Sequence, residues 1–161
     1  MKKSLSLIEL IVSTAIISFI FAVIISVFYI SNLNWNIEKE LIKLQQTSRI
    51  TLEGMIRELR QGRVSSLTIS DDGKTIDFSI PSIGNSIRYT LIDNQIIRQD
   101  SNNRVILNNV NSLNFCCDHG NLCDTNCSDT YMLCIHLVTS KQLYGRQLSF
   151  SLKEKVRLRN E

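Results

Sequence analysis

Two groups of residues in this 161-residue chain carry side chains that could do chemistry: a cysteine-bearing loop near the C-terminus and a single carboxylate near the N-terminus. In the loop Cys116, Cys117, Cys123, Cys127 and Cys134 enclose Asp118, His119, Asp124, Asn126 and Asp129, with His136 just beyond. Disulfide formation is the first chemistry such a set offers. Strand alternation puts Cys116 and Cys134 on the side opposite Leu113, Phe115 and Cys117, and opposite Leu133, Ile135 and Leu137. Cys116 and Cys134 are therefore expected to face each other across a hairpin, with Cys123 and Cys127 closing the small loop. The odd count leaves one thiol over, most simply Cys117 turned inward, and spacing alone does not determine the connectivity. Zinc is the second possibility, but Cys-x5-Cys-x3-Cys lacks the paired Cys-x2-Cys knuckles of structural sites. Calcium is the third: Asp124, Asn126, Ser128 and Asp129 are oxygen-rich, yet the loop has neither the glycine at position six nor the glutamate at position twelve. Disulfides are expected, and no metal or other cofactor.

The carboxylate is Glu9, the only charge between Leu5 and Ile30. Leu10 to Ile30 is twenty-one uncharged residues, and at about 1.5 Å per residue a helix of that length spans roughly 31 Å, the thickness of a bilayer core. An acid at the centre of a spanning helix costs about 2.5 to 3.5 kcal/mol on insertion scales, so Glu9 belongs near an interface, paired, or both. A cut after Ser4 would place a new amino group on Leu5, four residues before Glu9 and on the same helix face. A secretory signal begins with similar basic residues, but its apolar region is about 7 to 15 residues long and ends at a small-residue cleavage site. This run is longer and has an acid at its front.

Lys2 and Lys3 precede the apolar run, and Glu38, Lys39, Glu40 and Lys43 balance one another beyond it. The positive-inside rule then puts the N-terminus in the cytoplasm and the remainder outside, where disulfides persist. The formal net charge is +3, too small to argue for a nucleic-acid partner. No nucleophile elbow or phosphate-cradling glycine loop is present, and no enzyme activity is expected.

The elements that position these groups follow from two periodicities. Ile37, Leu41, Leu44, Ser48, Leu52, Met55 and Leu59 recur at spacings of three and four, one face of an amphipathic helix, while Glu38, Lys39, Lys43, Arg49, Glu53, Arg57 and Arg60 lie on its other sides. With no glycine or proline before Gly54, a single helix is expected from Leu5 to about Gln61, stopping at Gly62. From Leu67 the period drops to two. About eight short strands are expected: Leu67 to Ser70, Thr75 to Ile80, Ile87 to Ile92, Ile96 to Gln99, Arg104 to Val110, Ser112 to Cys117, Tyr131 to Thr139, and Leu148 to about Leu158. Asp71-Asp72-Gly73, Asp93-Asn94 and Asn102-Asn103 read as the turns. In the last strand Leu148, Phe150, Leu152, Val156 and Leu158 alternate with Ser149, Ser151, Lys153, Lys155, Arg157 and Arg159, a basic row of the kind that protects an exposed sheet edge. The fold class is α+β, a long N-terminal helix packed on an antiparallel sheet. Its segments are 1–4 (leader), 5–30 (membrane helix), 31–62 (amphipathic continuation) and 63–161 (β-rich region with the cysteine loop 116–134).

Ser-Leu-Ser-Leu-Ile-Glu-Leu-Ile-Val, from Ser4 to Val12, resembles the N-terminal signature of type IV prepilins and pseudopilins. The helix end from Thr47 to Gly62, with Arg49, Met55, Ile56, Arg57, Leu59 and Arg60, and the ending Val156 to Asn160 are similar to the J-type pseudopilins and W-type minor pilins. The resemblance implies the pilin fold. It also implies cleavage by a prepilin peptidase between Ser4 and Leu5, methylation of the Leu5 amine, and a role for Glu9 in meeting a neighbouring subunit's N-terminal amine. Two positions depart from the family, which usually has Gly before the cut and Phe after it, and the membrane segment lacks the proline common in major pilins. The implied function is that of a minor pilin or pseudopilin subunit. Such a subunit is held in the inner membrane, joins a type IV pilus or type II secretion pseudopilus, and primes assembly or sits at the tip. Its partners are the peptidase, other subunits and membrane lipid. The competing expectation is a single-pass, membrane-anchored periplasmic binding module that does not polymerise.

Overall fold

The computed structural model describes residues 7–81, 84, 86–118, 123–125, 127 and 132–158. The first element is helix α1, Leu7–Leu59, 53 residues without a break. The chain divides into two compact units, one ending at Glu40 and the other beginning at Leu41. In the first unit the helix is long and apolar enough to cross a membrane, and from Leu7 to Asn32 every residue is exposed. Leu5 and Ser6, the expected start of the helix, lie outside the described residues.

Among the described residues the second unit is built from the end of α1, a 3-10 turn (Val64–Ser66) and nine strands: β1 (Thr68–Ile69), β2 (Thr75–Ser79), β3 (Ser86–Ile92), β4 (Gln95–Gln99), β5 (Arg104–Leu107), β6 (Val110–Asp118), β7 (Cys123–Asp124), β8 (Met132–Leu143) and β9 (Arg146–Arg157). They form two antiparallel sheets, one in the order β1-β2-β3-β4-β5 and the other β7-β6-β8-β9. Leu44, Ser48, Leu52, Met55 and Leu59 are the buried residues of α1. They are the lower part of the stripe expected from the sequence, and amphipathic spacing is what lets one helix face close over a sheet. Leu52, Met55 and Leu59 join Ile76, Phe78, Ile87, Tyr89 and Ile96 from the first sheet and Leu113, Phe115, Leu133, Ile135, Leu137 and Val156 from the second in one continuous core.

Turn chemistry explains most boundaries. Asp93 and Asn94 both adopt positive φ, 49° and 60°, the conformation a two-residue hairpin needs to match strand twist. The expected strand Arg104 to Val110 instead ends at Leu107, because Asn109 takes φ 61° and carries the chain from one sheet to the other. There the Asn109 carbonyl accepts the Ser140 amide and the Val110 amide donates to the Asn94 carbonyl. Gly73, at φ +69°, sits where the β1–β2 turn meets β6: a Cβ there would lie 2.1 Å from Asn114 Oδ1, and the Gly73 carbonyl accepts the Phe115 amide at 2.7 Å. Only glycine satisfies both demands.

Gly62 follows the helix as expected but for a different reason. Its φ is not positive, so it is not a left-handed helix cap. A Cβ on it would meet the Phe78 ring at 2.8 Å, and its missing side chain is what lets the core come that close. The β8–β9 hairpin extends beyond the expected strands to a Tyr144–Gly145 turn, both residues at positive φ. Tyrosine is an uncommon residue for that conformation, which hid the turn. The two-residue strand β7 was also not expected; it pairs with the end of β6 through Cys117 and Asp124.

Candidate functional site

The apolar segment of α1 is the first candidate. Four of its hydroxyls are satisfied internally: Ser13 Oγ donates to the Glu9 carbonyl at 2.7 Å, Ser18 Oγ to the Thr14 carbonyl at 2.8 Å, Ser26 Oγ to the Ala22 carbonyl at 2.8 Å, and Thr14 Oγ1 to the Ile11 carbonyl at 2.9 Å. In hydrocarbon no water is available to a side-chain hydroxyl, so back-bonding to the preceding turn is the arrangement that lets serine and threonine enter a bilayer. Phe19, Phe21, Phe28 and Tyr29 are each more than half exposed, a large apolar surface with nothing of this unit covering it. Glu9 stands in the first described turns of the helix. Ser4 and Leu5, the expected cleavage pair, lie outside the described residues.

The cysteine region differs from the expected pairing. Cys117 and Cys127 form a disulfide with Cα atoms 5.3 Å apart, whereas the expectation gave Cys117 as the leftover thiol and joined Cys127 to Cys123. Among the described residues the free thiol is Cys134, and it is buried; Cys116 is itself disulfide-bonded. Cys116 and Cys134 do stand directly opposite each other in the β6–β8 register, as alternation predicted, but no bond joins them. The reason for the Cys117 bond lies in the two faces of β6. Leu113, Phe115 and Cys117 point into the core, and Cys127 folds under to join the same core cluster. Closing this ten-residue separation is worth about 2.5 to 3 kcal/mol on the chain-entropy account. Of Asp118, His119, Asp124, Asn126 and Asp129, only Asp118 and Asp124 are described; Asp118 pairs with Lys155 of β9. His136 bonds Ser151 Oγ through Nε2 at 3.0 Å. Among the described residues no group of three His, Cys, Asp or Glu side chains is placed to hold a metal ion.

A third site was missed by sequence reasoning. Glu58, one residue before the core position Leu59, accepts the Tyr89 hydroxyl at 2.6 Å and Arg98 Nε at 3.0 Å, both on Oε2. Arg98 also pairs with Asp100 through Nη1. Tyr89 and Arg98 are directly opposite in the β3–β4 register, so a cross-strand pair grips the last turn of α1. Burial, then the hydrogen bond to Glu58, pushes the Tyr89 phenol well above its ordinary 10.0. Arg98 is raised as well: burial opposes its charge, and Glu58 and Tyr89 more than offset that. One signal was available, since Arg98 shares the inward parity of Ile96, and a charged residue on that side of a strand needs a partner.

Of the basic row on β9, Ser149, Ser151, Lys153, Lys155 and Arg157 are exposed, while Leu148, Phe150 and Leu152 are half-buried and Val156 fully buried. β9 is an edge strand. Glu154, the residue that breaks the pattern, lines a groove of about 630 Å³ together with Arg49, Glu53, Arg57 and Arg60 of the helix. Compared with models of known families and with curated proteins, the chain matches none.

Proposed function

We propose that this chain is a minor pilin or pseudopilin subunit: a protein held in the inner membrane by α1, with its cysteine-bearing domain on the periplasmic side, that enters a type IV pilus or type II secretion pseudopilus. The observation that carries the reading is the continuity of α1. The same unbroken helix that exposes an apolar, internally satisfied surface over its first half supplies Leu44, Ser48, Leu52, Met55 and Leu59 to the buried interior. A segment joined in this way to the core is suited to be kept and used. The disulfide in the core fits an oxidising compartment.

In this reading the apolar surface leaves lipid for a bundle of equivalent helices, a transfer between two apolar surroundings with little hydrophobic gain of its own. Specificity then falls to the one group that lipid disfavours, Glu9, which selects register by finding the amine of a neighbour's Leu5. The work of the subunit is packing, and its domain is displayed or primes the next addition.

The test is the intact mass of membrane-extracted protein made with and without a prepilin peptidase. Loss of Met1 to Ser4 with gain of one methyl group, only in the presence of the peptidase, is the expected result. An unprocessed mass in both samples overturns the proposal and leaves a membrane-anchored binding module.

A further inference from the structure

Cys134 is a free thiol, 4 % exposed, and the residue directly opposite it on β6 is Cys116, whose sulfur is already in a disulfide. Directly opposed residues of an antiparallel pair have Cα atoms about 4.5 to 5.5 Å apart, inside the range of about 4.4 to 6.8 Å that a disulfide accepts. The backbone therefore holds a thiol and a disulfide sulfur at a separation where either bond can exist without moving a strand. On its other side Cys134 is opposite Lys155 of β9. That ammonium pairs with Asp118, and the hydrogen bond to Asp118 is the main cause that favours its charge.

We infer that Cys134 and Cys116 form an intramolecular thiol–disulfide exchange site on the outward face of the second sheet. The Cys134 thiolate attacks Cys116 Sγ, a Cys116–Cys134 bond forms, and the bond from Cys116 to its present partner breaks, with the electron pair leaving on that partner as a thiolate. The proton lost by Cys134 is balanced by the one the released sulfur takes up. There is no net oxidation, and no external oxidant or reductant takes part. Burial of Cys134 does not block access, because the attacking and attacked atoms are in the same strand pair.

The second disulfide is insulated from this exchange. Cys117 lies one residue from Cys116 but on the opposite face, fully buried in the core with Cys127. One bond thus holds the fold while the other can move a thiol from the strand interior to wherever the present partner of Cys116 sits. The inference does not depend on filament membership.

The experiment uses the full-length oxidised protein in detergent, without added thiol, held at about pH 8.5, near the pKa of an ordinary cysteine. Among the described residues the charged and titratable groups on the face of Cys134 are Lys155 and Asp118, which pair with each other, with His136 further along the same face of β8. Samples are quenched in acid, denatured, alkylated and mapped by mass spectrometry. The expected result is a time-dependent Cys116–Cys134 cross-linked peptide, appearing with a second, newly alkylated cysteine and with a first-order rate constant unchanged over a tenfold range of protein concentration. Cys134→Ser and Cys134→Ala should both abolish it while the Cys117–Cys127 peptide persists. If Cys134 remains the sole alkylated cysteine over days, or if the fraction converted per unit time rises in proportion to protein concentration, as an intermolecular reaction requires, the inference is overturned.

Discussion

Replacing Arg98 with methionine tests whether the polar cluster clamps the helix to the first sheet. The Arg98 side chain is 9 % exposed, and the two carboxylates it holds, Glu58 and Asp100, are 28 % and 24 % exposed. Removing one member of a fully buried ion pair costs about 3 to 5 kcal/mol, because the remaining charge is left uncompensated. Here a quarter of each carboxylate is in water and Glu58 keeps the Tyr89 hydroxyl, so a loss of about 2 kcal/mol is expected. At about 1.4 kcal/mol per tenfold, that is a roughly 30-fold fall in amide protection if β3 and β4 exchange by global opening. Hydrogen exchange by mass spectrometry on the detergent-solubilised chain reads it directly. Arg98→Met with Glu58→Gln should recover part of the loss, giving a coupling of about 1 kcal/mol or more. A fall in protection of less than threefold, or strict additivity in the double variant, would refute the clamp.

Gly73→Ala should destabilise the domain by about 2 kcal/mol or more, from the left-handed backbone and the collision with Asn114 together. Gly145→Ala, at φ +74° with nothing near its Cβ, should cost only about 1 kcal/mol, and equal losses in urea titration would show that the sheet-to-sheet approach at Gly73 contributes nothing. Stability should also fall in alkali because of Tyr89. Below pH 10 the phenol is neutral in both states and its bond to Glu58 stabilises fully. Above it the unfolded chain sheds the proton and the folded chain, held well above 10.0, retains it, so stability drops by up to about 1.4 kcal/mol per pH unit until the folded phenol ionises. Tyr89→Phe should lack that slope, and an identical pH profile would exclude Tyr89 as its source. Glu9→Val should leave membrane insertion intact and reduce entry into filaments, and co-purification with assembled filaments at the wild-type level would remove Glu9 from assembly.

Much of the fold was legible because two simple periodicities coincide with burial. The spacing of Leu44, Ser48, Leu52, Met55 and Leu59 marks the helix face that closes the core, and the alternation of Ile76 with Phe78, or Leu133 with Ile135 and Leu137, marks the inward faces of strands. Turns were legible where the residue type matches the backbone demanded, as at Asp93-Asn94. They were hidden where it does not, as at Tyr144. The division of the strands into two sheets was not legible, since it depends on the break at Asn108-Asn109, a turn signal that the expected strand Arg104 to Val110 runs through.

The cysteines show the same limit from the side of chemistry. Alternation placed Cys116 opposite Cys134 and turned Cys117 inward, and both placements hold. The inference that opposed residues are bonded and an inward residue is not was the step that failed. Facing geometry establishes only that a bond is permitted. Which permitted bond forms depends on the loop beyond Asp118, and there Cys127 is drawn under the sheet into the same apolar cluster as Cys117. Cys117 and Cys127 share that cluster, whereas Cys116 and Cys134 lie outside it. The opposed pair retains the geometry of a disulfide and holds a thiol in its place, which is the condition that exchange requires.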